Sequence, residues 1–184
     1  MNVIVISGKA RSGKNTIVNY LRSKVGNSAE MMIAKPLKDY AKTFNGWNGE
    51  EDTKPRTFLQ EVGNYIRFDM NYPSFLIFRC VQDINIMRGY FKTKEEEMSI
   101  FISDCRFKDE LQYLKTWLGD DIITIRVERP NFDNGLTKKQ QAHITETDLD
   151  NWNVWDYKIV NDGSLEDLEG KLEEVVKRLT KHIK

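Results

Sequence analysis

Short continuous apolar runs alternate along the chain with longer stretches whose apolar residues recur every three or four positions. Val3, Ile4, Val5 and Ile6 are consecutive and β-branched, as expected of a strand covered on both faces of a parallel sheet. After a glycine-bearing segment, Ile17, Val18, Leu21 and Val25 follow at helical spacing. Met31 to Ala34 reads as a second short strand, and Lys35-Pro36 opens another helix, proline being tolerated in a first turn. Residues 45–55 read as a loop, 56 to about 71 as a helix ended by Pro73, and 74–88 as a further helix. Ile100-Phe101-Ile102 is the next buried strand, followed by an amphipathic helix over 107–118 that stops at Gly119. Residues 122–127 form another strand, 131–151 are polar and irregular, and 157–160 form the last strand. Ser164 with Asp167 signals a helix start, and Leu165, Leu168, Leu172, Val175, Leu179 and Ile183 stripe its core-facing side. Strands alternating with helices predict a three-layer α/β/α domain with a mainly parallel sheet.

Composition narrows the function. The 184 residues suit one domain, and 40% hydrophobic residues fit a globular chain. Lys and Arg number 28, as do Asp and Glu, so no global basic field draws in nucleic acid or a membrane. Any phosphate binding must therefore be local. Cys80 and Cys105 lie far apart, outside any zinc or disulfide pattern. The opening apolar run is too short for a signal peptide or membrane span, and a soluble cytosolic protein is expected.

The first strand runs into Gly8-Lys9-Ala10-Arg11-Ser12-Gly13-Lys14-Asn15-Thr16. Two glycines five apart let the backbone curl around a phosphate, the following helix adds its positive end, and Lys14 reaches the β- and γ-phosphates. The hydroxyl arrives one place later than in the strict motif, at Thr16, the candidate on the Mg²⁺ side. Past the strand at 100–102, Asp104 is placed to order Mg²⁺ or its water shell, or to position the acceptor's attacking group. Arg106 is a candidate phosphate clamp, with Glu110 one helical turn on. In the helix from 56, Arg56, Gln60, Gly63 and Arg67 share one stripe, while Phe58, Val62, Tyr65 and Ile66 form an apolar back. Gly63, lacking a side chain, would let a flat ligand approach. Lys35 and Lys38 are further phosphate-contact candidates. His143 is not assigned as a general base, because phosphoryl transfer needs positioning and charge neutralisation more than proton abstraction. Trp152 and Trp155 are expected to pack the final strand rather than to stack on a base.

Seven motifs in register resemble the bacteriophage-type deoxynucleoside monophosphate kinases, relatives of adenylate kinase and dephospho-coenzyme A kinase. They are Ser7-Gly8-x-x-Arg11-Ser12-Gly13-Lys14-x-Thr16, Ala34-x-Pro36-Leu37-Lys38-Asp39, Arg56-x-x-Leu59-Gln60-x-x-Gly63 with Arg67, and Asp104-x-Arg106-Phe107-x-x-Glu110. Arg126-Val127-x-Arg129-Pro130, His143-x-x-Glu146 and residues 161–166 complete the set. Asn64 stands where the family often has Thr, and Thr145 where it often has Ser. The resemblance implies a P-loop NTPase fold and Mg²⁺-dependent transfer from ATP to a deoxynucleoside monophosphate. It implies that Gly8, Arg11, Ser12, Gly13, Lys14, Asn15 and Thr16 hold the ATP phosphates, with Asn161, Asp162 and Gly163 beside the adenine. Leu37, Lys38, Arg56, Gln60, Arg67 and Glu110 would serve the acceptor, and Lys14, Asp104, Arg106 and Arg129 the transfer. A helical acceptor-binding insertion at about 40–95, a lid-like loop at about 131–150 and room for a homodimer complete the expectation. Two alternatives stand beside it: a kinase of another small phosphorylated acceptor, and a nucleotide-binding protein without catalysis.

Overall fold

In the computed structural model, residues 2–119 and 122–181 are described. Five strands form one sheet in the order β2-β3-β1-β4-β5, every neighbouring pair parallel. They are β1 (Asn2–Gly8), β2 (Ser28–Met31), β3 (Ser99–Ile102), β4 (Ile123–Glu128) and β5 (Tyr157–Val160). Helices α1 (Lys14–Lys24), α2 (Lys35–Phe44), α3 (Arg56–Asn64), α4 (Phe75–Thr93), α5 (Lys108–Leu118), α6 (Lys138–Gln141), α7 (Ile144–Thr147) and α8 (Leu165–Thr180) join them.

The period of two along each strand divides the core. Val3 and Val5 of β1 with Ile100 and Ile102 of β3 pack against Ile77, Val81 and Ile84 of α4 and Leu111 and Leu114 of α5. Ile4, Ile6 and Phe101 point the other way, onto Ile17, Val18 and Leu21 of α1 and Leu168, Leu172, Val175 and Leu179 of α8. Both faces are covered, so the apolar runs of β1 and β3 show no polar alternation. The three layers read from the sequence are the layers found. Trp152 and Trp155 pack against the first of these two cores, whereas Ile159 of the final strand belongs to the second.

Several boundaries differ. β2 begins at Ser28, three residues before the apolar run read as the strand. It is an edge strand, half exposed, and so needs no continuous apolar run; Ile33 instead drops into the core beyond its end. The helix from 56 gives way to a π turn, Tyr65–Asp69, in which the Met70 amide reaches back to the Tyr65 carbonyl. The extra residue in that turn rotates the side chains beyond it out of the helical stripe. Of the four residues read as an apolar back, Ile66 is buried, Phe58 and Val62 are half-buried, and Tyr65 is 59% exposed. Within the stretch read as irregular lie α6 and α7. Helix α8 starts at its predicted cap: Ser164 Oγ accepts from the Asp167 amide and the Asp167 carboxylate from the Ser164 amide. Leu165, at the very start of that helix, is 53% exposed rather than in the stripe; Ile183 and His182 lie outside the described residues. Among the described residues, no helix is long and apolar enough to cross a membrane.

The topology fixes where a ligand fits. From β1 the chain crosses to β2 on one side, and from β3 it crosses over β1 to β4 on the other. The crossovers part above the carboxyl ends of β1 and β3, leaving a crevice there.

Candidate active site

Residues 8–16 leave β1 as a tight loop. Gly8 pairs with Val127 of β4, and a Cβ on it would come within 2.5 Å of the Val127 carbonyl and 2.6 Å of Ser12 Oγ. Gly13, at φ +101°, takes the left-handed turn that starts α1. No side chain caps that helix and its first turn holds no acid, so its free amides and positive dipole end face the crevice. Ser12 Oγ is buried without a hydrogen-bond partner among the described residues, a polar atom suited to a phosphate oxygen. The Lys14 ammonium lies across the loop, donating to the Gly8 and Lys9 carbonyls, both at 2.8 Å. Burial, with Arg106 alongside, holds its pKa well below the usual lysine range.

The crevice, about 450 Å³, is lined by Arg11, Ser12, Gly13, Lys14, Asn15, Thr16, Lys38, Arg56, Asp104, Arg106 and Arg129 of the residues singled out from the sequence. Lys54, Glu30, Glu51 and Ser103 also line it. Seven cationic side chains thus face three carboxylates, which makes the cleft locally basic in a chain of zero net charge. A somewhat larger cavity, about 550 Å³, opens at the other end of the sheet between Val3, Phe91, Leu118 and Ile122, away from the glycine loop and the uncapped helix.

Each lining group has a definite support. Both Asp104 oxygens accept backbone amides, from Ile33 at 2.8 Å and Ala34 at 3.0 Å, which ties the end of β3 to the start of α2. Ser103 Oγ donates to Glu30 beside it. Arg106 Nη1 donates to Glu146 at 2.9 Å and to the Gly8 carbonyl at 3.2 Å. Arg129 stacks 3.7 Å above the Phe132 ring and reaches the Arg11 carbonyl at 3.4 Å. Arg56 and Lys54 both pair with Glu51. Thr16 and Asp104, with Glu30 near by, offer oxygen donors of the kind a hard cation takes.

Other expected site residues lie outside the crevice lining. Leu37 is buried between α2 and α3, and Gly63 faces it: a Cβ there would sit 3.4 Å from Leu37 Cδ1. Gly63 thus faces a side chain of the neighbouring helix, and a methyl group there would make close but ordinary contact. Gln60 Nε2 turns to Thr145 Oγ1 at 3.4 Å. Arg67, brought round by the π turn, stacks 3.7 Å from the Phe107 ring and pairs with Asp109 and Glu110. Asn161 Nδ2 supports the loop from behind through the Ser12 carbonyl, at 3.0 Å. Asp162 pairs with Lys171, and Gly163 sits against Asp167 at the start of α8.

Glu110 is 4% exposed and caps the turn into α5, accepting the Arg106 amide at 2.7 Å and the Phe107 amide at 3.1 Å. Burial outweighs those donors and Arg67, and pushes its carboxyl from 4.5 up to about 7. The protonated form is thus favoured by folding: its contribution is complete below pH 4.5 and is lost as pH rises to about 7. Glu110→Gln is expected to remove that slope. Denaturant titrations of the two proteins across this range should diverge by up to about 3 kcal/mol, wild type losing ground as pH rises.

A P-loop at the carboxyl end of a central parallel strand, with an acid and an arginine at the end of its neighbour, gives this protein the fold of the P-loop nucleotide kinases. The chain belongs to the deoxynucleotide monophosphate kinase family, whose sequence model matches residues 56–172, more than half of it. It is a nucleotide kinase, a phosphotransferase. Among solved structures, TT1252 from Thermus thermophilus is 20% identical over 97% of this chain and 98% of its own, with a TM-score of 0.57. That is a likeness of fold. The dephospho-CoA kinase of Campylobacter jejuni, 15% identical over 98% of both chains, superposes more loosely, with a TM-score of 0.48. No curated protein sequence matches the chain.

Proposed function

We propose that the protein transfers the γ-phosphoryl group of ATP to the phosphate of a deoxynucleoside monophosphate. An oxygen of the acceptor phosphate bonds to the γ-phosphorus as its bond to the β–γ bridging oxygen breaks, giving ADP and a deoxynucleoside diphosphate. The observation that carries this reading is the cationic crevice closed around an uncapped helix start, with Lys14 inside it. The amides of residues 13–16 and Ser12 Oγ hold the β- and γ-phosphates of ATP. Lys14, Arg106 and Arg129 meet the charge that develops on the transferred group. An anion in the crevice adds counter-charge to the half-buried Lys14 ammonium, which desolvation and Arg106 disfavour. Lys38, Lys54 and Arg56, on the opposite wall, take the acceptor phosphate. Thr16 and Asp104 would hold Mg²⁺, which when bound neutralises the phosphate oxygens.

The segment 131–150 divides by its contacts. Residues 144–150 pack beneath the loop, while 131–142 skirt the crevice, Gly135 approaching the Arg11 guanidinium. In this reading the outer part closes over bound nucleotide and excludes water.

The test is a panel. With ATP and Mg²⁺, each deoxy- and ribonucleoside monophosphate is supplied in turn and ADP release is followed. Turnover with at least one deoxynucleoside monophosphate is the expected result; ADP release with none of them would reject the proposal.

A further inference from the structure

Resting on that reading, we infer that Glu146 is a positioning residue for phosphoryl transfer, aligning Arg106 and the phosphate loop as one unit. Glu146 lies in α7, far in sequence from both, and is only 9% exposed. Its two oxygens are divided between them. Oε2 accepts the Ala10 amide, inside the loop, at 2.9 Å, and Oε1 accepts Arg106 Nη1, also at 2.9 Å. The same Arg106 nitrogen reaches the Gly8 carbonyl, so carboxylate, guanidinium and loop close a small ring of contacts.

The turn that carries Glu146 is anchored at both ends. Upstream, His143 Nδ1 accepts the Thr145 amide, His143 Nε2 lies 3.0 Å from Asn64 Nδ2, and Thr145 Oγ1 meets Gln60, so the turn is held to α3. Downstream, Asp148 accepts the Lys108 amide at 2.7 Å, and Asp150 pairs with Lys9 and Arg126. A carboxylate fixed on so many sides has little freedom to follow its partners, so they take their places from it. An arginine with one free guanidinium edge is thereby held at the crevice wall, where a displacement of about 1 Å would cost on the order of 100-fold in rate.

The variant Glu146→Gln keeps the shape and removes the charge that two donors share. With ATP and the best acceptor of the panel, kcat is expected to fall about 10- to 100-fold while KM for ATP changes less than about threefold. Arg106→Gln is then combined with it. If Glu146 works through Arg106, the double variant loses no more kcat than Arg106→Gln alone; independent losses that multiply would overturn the inference. So would a Glu146→Gln enzyme within twofold of wild-type kcat, or one whose kcat holds while only its melting temperature drops. Should Glu146→Gln fail to fold, Glu146→Asp serves the same comparison, since its shorter arm cannot span both partners. An active wild type beside an equally active variant overturns this inference alone. A wild type that turns over none of the monophosphates overturns the kinase reading and this one with it.

Discussion

Lys14→Ala is expected to lower turnover by about 100- to 1,000-fold, the loss caused by removing one preorganised charge donor from a transition state. Lys14 opens α1 with its ammonium turned back across the loop, spanning the Gly8 and Lys9 carbonyls. Arg106 and Arg129 act on the same group from other positions in the lining and leave the place of the Lys14 ammonium unfilled. Stability should not suffer. Burial pushes the lysine pKa down, so folding works against its charged form, and alanine removes that penalty. Alanine also suits the first turn of α1. The comparison is the rate of ADP release in wild type and variant, read beside their melting curves. Full activity in a folded Lys14→Ala protein would remove the loop from the mechanism.

Gly8→Ala is expected to damage fold and site together. The new methyl would meet the Val127 carbonyl, a backbone atom in the pairing of β1 with β4, and that atom cannot turn aside as a side-chain tip would. Either the two central strands part locally or the loop shifts off Ser12. Overpacking of this kind costs about 2–3 kcal/mol. ATP affinity should fall at least about tenfold, because the amides that form the cradle move with the loop. Denaturant titration gives the first number and calorimetric titration with ATP the second. Unchanged values for both would mean that β1 and β4 are not paired at Gly8.

Much of this architecture is legible in the chain itself. The runs at 3–6 and 100–102 read as doubly covered strands because they are short, continuously apolar and rich in β-branched and aromatic residues. The loop between two glycines, ending in Lys14, obeys the same local logic. So does the cap at Ser164. These features depend on residues within a few positions of one another.

The differences between pattern and structure share a cause as well. β2 escapes the hydrophobic pattern because an edge strand has too little burial to leave an apolar signature. The stripe of Arg56, Gln60, Gly63 and Arg67 assumes an uninterrupted helix, and a π turn, invisible to a periodicity of 3.6, sends Arg67 to Asp109 and Glu110 instead of the crevice. Lys54, a lining residue that the motifs do not mark, sits in a stretch that reads as loop, two places before Arg56. Glu146 belongs to a recognisable motif, yet its partners, Ala10 and Arg106, are 136 and 40 residues away.

Local order along the chain thus settles the layers, the parallel sheet and the glycine loop that leads into an uncapped helix, because strand burial and glycine freedom act over a few residues. Which arginines face the crevice and which are held in salt bridges, and that a glutamate from the far end of the chain holds the loop, depends on how the elements pack. Those outcomes are set by contacts between residues tens of positions apart, where no spacing rule reaches.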